Sequence, residues 1–446
     1  MSIFTLALYL IRSLPSEGYF YYSTGLSIAL ISLQLFSGWL APSIVFFLPV
    51  STNQKEFIAD SILLACVLGM LGGGSGFVAS LLVISDIYGA CTVGLICVSQ
   101  SIYVTLNAVF QADRKVIPQL GMSLLFSIVL PITAYFSLDA FESDYRLALL
   151  AFAASYFVAS LAAMLICLRG GLFSWTINLS PRAIENLLVI VRYGAPLSLW
   201  AVAMLLMSSG EKLFLQSTPQ NSAYLSAKDL LIGAASLLSM PVIMAAQPLI
   251  FRAHRDGRDY VALLMTCTRL TSVIFGGFWC LVEFYGARMV LHYTQKDLSS
   301  ILNEVSIAYF AIYCSCLAIY FQKPFEIKSH TQELAKISIS VAASALLAFL
   351  LFSEEYGALG AAAIFLVAQI VYILVLIVRA NLPISILIQP VVVIVCTIVV
   401  GNVLFEASML VVGGYGEVIG AMVWISLYAL CLCLWVYTIL RQMQKT

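Results

Sequence analysis

Apolar runs of roughly 18 to 25 residues, set apart by short polar breaks, recur from one end of this chain to the other. A bilayer hydrocarbon core of about 30 Å takes about 20 apolar residues in helical form to cross. The pattern predicts fourteen spans, near 2–12, 20–40, 57–84, 88–110, 117–137, 147–168, 193–210, 222–250, 263–284, 302–322, 336–353, 358–379, 384–406 and 416–440. Strands of a membrane barrel would instead alternate apolar and polar positions over segments of about ten residues. The expected fold class is therefore an all-α polytopic membrane protein. The first span is short for a full crossing, and the third is interrupted by Gly72, Gly73 and Gly74.

Charge gives an independent check on the count and orients it. With the N-terminus placed in the cytoplasm, 15 of the 22 Lys and Arg fall on inner connections and the tail, and five fall on outer ones: Arg12, Arg146, Lys212, Arg288 and Lys296. Lys228 and Arg269 lie within spans. A positive-inside bias that persists over so many alternating loops supports the span count and puts both termini in the cytoplasm. One missed or invented helix near the middle would destroy it.

Composition agrees. Hydrophobic residues make up 62% and charged residues 10%, where a soluble domain carries about 25% charge. Net formal charge is zero, which gives no basic field for nucleic acid. All eleven cysteines lie in apolar stretches, as small packing residues do, and none sits in the paired loop context of a zinc site. No nucleotide-binding Gly-x-x-x-x-Gly-Lys-Ser/Thr loop occurs. No cofactor, metal or catalytic residue is indicated. The N-terminus lacks the basic start and small-residue cleavage site of a signal peptide, so the first span is read as retained.

The longest inner connection, 169–192, contains Trp175 and a stretch opened by Ser180 and Pro181 that reads as a short surface helix. It separates an N-terminal six-helix half, 1–168, from a second six-helix half, 193–379, with two further spans and a tail in 380–446. An internal echo supports this division. Leu10-Ile-Arg-Ser-Leu-Pro15 followed by Tyr19 and Ser23 is matched by Leu213-Phe-Leu-Gln-Ser-Thr-Pro219 followed by Tyr224 and Ser226. Repeats of this sort underlie transporters that rock one half against the other.

Five short segments carry a family resemblance: Pro15-Ser-Glu-Gly-Tyr19, Tyr193-Gly-Ala-Pro196, Glu211-Lys212-Leu-Phe-Leu215, Ala223-Tyr-Leu-Ser226 and Gln247-Pro-Leu249. Together with the span count they resemble the polysaccharide exporters of the multidrug/oligosaccharidyl-lipid/polysaccharide superfamily, flippases of lipid-linked oligosaccharides. The chain departs from the family pattern where Glu211-Lys212 replaces an Asp-Arg pair and Ala223 replaces a glycine. Lys offers a point charge in place of the guanidinium fork. The resemblance implies two six-helix bundles around a lumen and two extra C-terminal helices. It also implies a polyprenyl-pyrophosphate oligosaccharide substrate, a bacterial inner-membrane location, and polysaccharide polymerase and chain-length machinery as partners.

Ionisable groups inside spans are costly and so are candidates for function. Arg12, Lys212, Lys228 and Arg269 are the expected cations of a substrate cavity, facing an anionic linker. Simple interfacial anchoring or pairing between helices is the plainer reading of each. Asp60 and Glu283 are the candidate ion-coupling carboxylates, and Pro196 and Pro241 the candidate hinges. Flipping of a lipid-linked oligosaccharide by alternating access is the expected function. A cation-coupled multidrug or metabolite antiporter is the alternative, and a polysaccharide polymerase a more distant one. A flippase for lipid II is a near relative of the first. The three histidines, His254, His292 and His330, are scattered over loops with no paired motif.

Overall fold

The computed structural model describes residues 2–51, 53–140, 144–170, 181–286, 299–328, 330–412 and 426 of the 446. Every regular element among them is helical. In chain order they are α1 (Ser2–Ser13), α2 (Ser16–Phe36), α3 (Leu40–Phe47), α4 (Gln54–Ile84), α5 (Ile87–Ala112), α6 (Val116–Ala140), α7 (Tyr145–Arg169), α8 (Pro181–Ser209), α9 (Pro219–Arg255), α10 (Tyr260–Leu281), α11 (Leu302–Phe321), α12 (Lys323–Ile327), α13 (Thr331–Arg379) and α14 (Ser385–Val412). Short 3₁₀ turns follow α3 at Leu48–Val50 and α8 at Gly210–Leu213.

The polar breaks in the apolar pattern supply the helix starts. Asn53 accepts from the Glu56 N–H at 3.4 Å and donates to the Glu56 carboxylate at 2.8 Å. Asp86, Asp144 and Asp259 cap α5, α7 and α10 in the same way. Each cap satisfies amide donors that the first turn of a helix leaves open. Within the spans, serines close on their own backbone. Ser27, Ser61 and Ser99 each donate to the carbonyl four residues earlier, which lets a hydroxyl sit in apolar surroundings.

Among the described residues ten helices are long and apolar enough to cross a membrane, or eleven when the bent pair α2 and α3 is taken as one span. The fourteen expected stretches differ from this in four places. The first, α1, has 12 residues. The second is bent by 41° between Phe36 and Leu40. The surface helix expected before span seven is instead the front of one 29-residue helix, α8. The stretches 336–353 and 358–379 form one 49-residue helical run, α13, interrupted only at Gly357, where φ is 54° and ψ −136°. Span 416–440, Trp175 and Ser180 lie outside the described residues.

The chain divides into two compact units. The first comprises Met1–Ser226 and Thr331–Ile364. In it α4 and α5 form a hairpin turned by Ser85, at φ 59°, and Asp86; α5 and α6 both pack on α7, and α2 lies against α4, α5 and α8. The break between α2 and α3 is held from α8. Ser198 Oγ donates to the Gln34 carbonyl at 2.7 Å, and Ser43 Oγ reaches the Ile190 carbonyl at 3.4 Å. The Phe46 ring stacks on Tyr193 at 4.9 Å. The second unit comprises Ala227–His330 and Phe365–Thr446. There α10 packs on α11 and α14. A hydroxyl network ties them: Ser272 to Tyr313 at 2.7 Å, Thr271 to Tyr320 at 3.1 Å, and Tyr313 to the Pro390 carbonyl at 3.3 Å.

Candidate functional site

In the first unit the two segments of the sequence echo come together. Pro15 precedes α2 and Pro219 opens α9. Ser222 Oγ donates to the Ser16 carbonyl. Lys212, on the 3₁₀ turn between α8 and α9, donates from Nζ to Ser23 Oγ of α2 at 2.8 Å. Lys212 is only 4% exposed, and the neighbouring Glu211 is 0% exposed. The turn is braced further by Asn221, whose amide donates to the Gln216 carbonyl at 3.0 Å, and by Gln216, which donates to Glu354 at 3.3 Å. An acidic and a basic side chain are thus both enclosed at a break in the helical run, where free backbone groups supply polar surroundings. Arg12, by contrast, is exposed at the end of α1.

In the second unit Lys228 is 0% exposed, and its ammonium sits 4.0 Å from the centroid of the Phe365 ring. A cation at that distance over a ring face is attracted by the ring quadrupole, by as much as about 2 kcal/mol when desolvated. Arg269 of α10 is half-buried and donates from Nε to Gln389 Oε1 of α14 at 2.9 Å, with Nη2 on the same oxygen. Its guanidinium therefore ties two neighbouring helices. The four expected cations fall into two classes: Lys212 and Lys228 are enclosed, while Arg12 is open and Arg269 is engaged between helices.

The carboxylates and prolines are placed as follows. Asp60 is half-buried in α4, one turn after Glu56. Glu283 is exposed, in a π-helical turn at Val282–Gly286 that ends α10. Pro196 and Pro241 lie inside continuous α8 and α9. The buried carboxylates among the described residues are instead Glu211 and Glu304, at 0% and 8% exposure. Glu211 was signalled by its place beside Lys212; Glu304 opens a span and looks in sequence like an ordinary first-turn acid. No group of three or more possible metal ligands occurs among the described residues.

Outside the spans, Asp86 gathers an electrostatic cluster. Its Oδ2 accepts from Arg146 Nε at 2.7 Å, from the Gly89 N–H at 2.9 Å and from the Tyr145 hydroxyl. Burial alone would raise its pKa, but these donors together hold it below the usual carboxylate value.

No family model and no curated protein sequence matches this chain. Solved structures do. The lipid II flippase MurJ, in an inward closed conformation, superposes over 99% of this chain and 97% of its own, with a TM-score of 0.66 at 13% identity. The chain has the fold of a membrane transporter. An inward-facing multidrug resistance MATE family transporter of the MOP superfamily covers 85% of this chain and 94% of its own, with a TM-score of 0.59 at 13% identity. The outward-facing conformation of such a transporter covers 87% and 94%, at 0.55 and 14%. At these identities the likeness concerns the fold, and function has to be argued from the residues.

Proposed function

We propose that this protein turns over a lipid-linked oligosaccharide, a polyprenyl-pyrophosphate repeat unit for surface polysaccharide, across the bacterial inner membrane by alternating access. The observation that carries this reading is the enclosure of two lysines, Lys212 on the turn between α8 and α9 and Lys228 within α9. A buried ammonium is costly in a membrane and suits an anionic cargo. The similarity to a lipid II flippase over 99% of the chain supports the same reading. In this scheme Lys212 of the first unit and Lys228 of the second are each candidate cations for the anionic linker, Arg12 and Arg269 are further candidates, and Pro196 and Pro241 are candidate hinges. The lipid tail stays in the bilayer. No covalent step is involved.

Glu211 favours a second reading. A wholly buried carboxylate is what an organic cation or a coupling ion requires, which is the chemistry of an antiporter. Deletion in the host separates the two. Accumulation of lipid-linked glycan on the inner leaflet is expected for the flippase. Normal glycan with new drug sensitivity would replace that reading with the antiporter, and unpolymerised glycan on the outer face would indicate a polymerase.

A further inference from the structure

The second unit holds a fully buried polar group for which the described residues supply no hydrogen-bond partner. Gln369, in α13, is 0% exposed, and both atoms of its amide, Oε1 and Nε2, are buried without a hydrogen bond. A buried amide left open carries the full cost of its desolvation, which an apolar residue of the same size would not. The surroundings along the helix are polar on both sides. Phe365 lies one turn before Gln369 on the same face and carries the Lys228 ammonium on its ring. Tyr372 lies one turn after, and its hydroxyl accepts from Gln322 Nε2 at 3.1 Å. Gln322 is followed by Lys323, itself 5% exposed and paired with Glu326 at 2.8 Å. Along α13 a seam of two polar contacts, Lys228 on Phe365 and Gln322 on Tyr372, thus flanks Gln369 one turn to either side.

We infer that Gln369 is a binding site for a hydroxylic ligand, a group that both donates and accepts. One O–H donates to Oε1 and one oxygen lone pair accepts from Nε2, which satisfies the amide and continues the seam toward Tyr372. Water has this chemistry, and so has a sugar hydroxyl. Internal water typically makes about three hydrogen bonds to groups of this kind. The site stands whether or not the cargo is a lipid-linked oligosaccharide.

Radiolytic hydroxyl labelling of the full-length protein in lipid vesicles, in ¹⁸O-water, tests this directly. Label is expected on Phe365 and Tyr372 faster than on Phe110 and Phe349, which are equally buried. Loss of that label in Gln369→Leu is expected as well. A second arm adds free N-acetylglucosamine. Protection of Phe365 and Tyr372 by the sugar assigns the site to a cargo hydroxyl, and unchanged labelling assigns it to water. Label on neither ring in the wild-type protein, in both arms, overturns the inference whatever the variant does. A Gln369→Leu protein that labels like wild type overturns it too.

Discussion

Lys212 and Ser23 stand 189 residues apart and are joined by a single 2.8 Å hydrogen bond from Nζ to Oγ. The bond links the turn between α8 and α9 to the middle of α2. Ser23→Ala removes one acceptor from an enclosed ammonium. A hydrogen bond to a charged group is worth about 1.5–3 kcal/mol, so a lower unfolding temperature in detergent is expected for Ser23→Ala, and Ser23→Thr, which keeps the hydroxyl, should avoid most of that loss. Lys212→Met is expected to abolish transport in reconstituted vesicles while the protein still inserts.

Phe365→Leu keeps the volume beneath Lys228 roughly constant but removes the ring quadrupole. The expected destabilisation is about 0.5–2 kcal/mol, and Phe365→Tyr should be nearly silent at the cation. Thermal unfolding of the two variants beside wild type decides the matter. Equal melting temperatures for Phe365→Leu and wild type would remove the cation–ring contact as a contributor.

The Asp86 cluster predicts a dependence on acid. Because the folded protein holds this carboxyl below its unfolded value of about 3.9, the stabilisation is fully present above that value and is lost as pH falls through the folded pKa. Asp86→Asn should melt lower at neutral pH, and the difference from wild type should shrink as the solution is acidified below about pH 4. A difference that stays constant with pH would mean that Asp86 acts as a cap alone.

Gly194 is forced by contact. A Cβ built there would lie 2.6 Å from Cε3 of Trp39, 2.7 Å from Ser43 Oγ and 3.0 Å from the Trp39 carbonyl oxygen. Overpacking of this kind typically costs about 1–3 kcal/mol. Gly194→Ala should therefore lower stability in a melting assay, and the neighbouring substitution Ala195→Gly should not match it.

Arg269→Lys tests whether the guanidinium is needed as a fork. Lys can reach one acceptor but lacks the planar pair of donors that meets Gln389 Oε1 from Nε and Nη2. Arg269→Lys and Gln389→Leu should lower the melting temperature to a similar degree, and the double variant should fall well short of their sum. Additive losses would show that the two side chains act separately.

The apolar runs made the all-helical membrane fold legible, because each crossing has to close its own backbone hydrogen bonds. They did not reveal bends. The turn between α2 and α3 depends on Ser198, more than 160 residues away, taking up freed carbonyls. The fusion of the linker helix with span seven was hidden for a similar reason. Arg182 and Glu185 look like surface residues, but a helix may extend beyond the lipid without any change in its local rules. At the candidate site, charge within a span pointed to Lys228 and Arg269, and charge at the outer end of a span to Lys212. Burial separates them, and burial comes from packing. Gln369 carries no charge and sits in a strongly apolar run, so nothing in the pattern set it apart.

At Gly357 the backbone takes φ 54° and ψ −136°, a conformation that L-amino acids avoid. Unbroken, the 49 residues of α13 would make a rod of about 74 Å, more than twice the thickness of the hydrocarbon layer. The fold thus relies at one point on a residue without handedness. At that achiral hinge pin one stretch of helix gives way to the next with no loop between them.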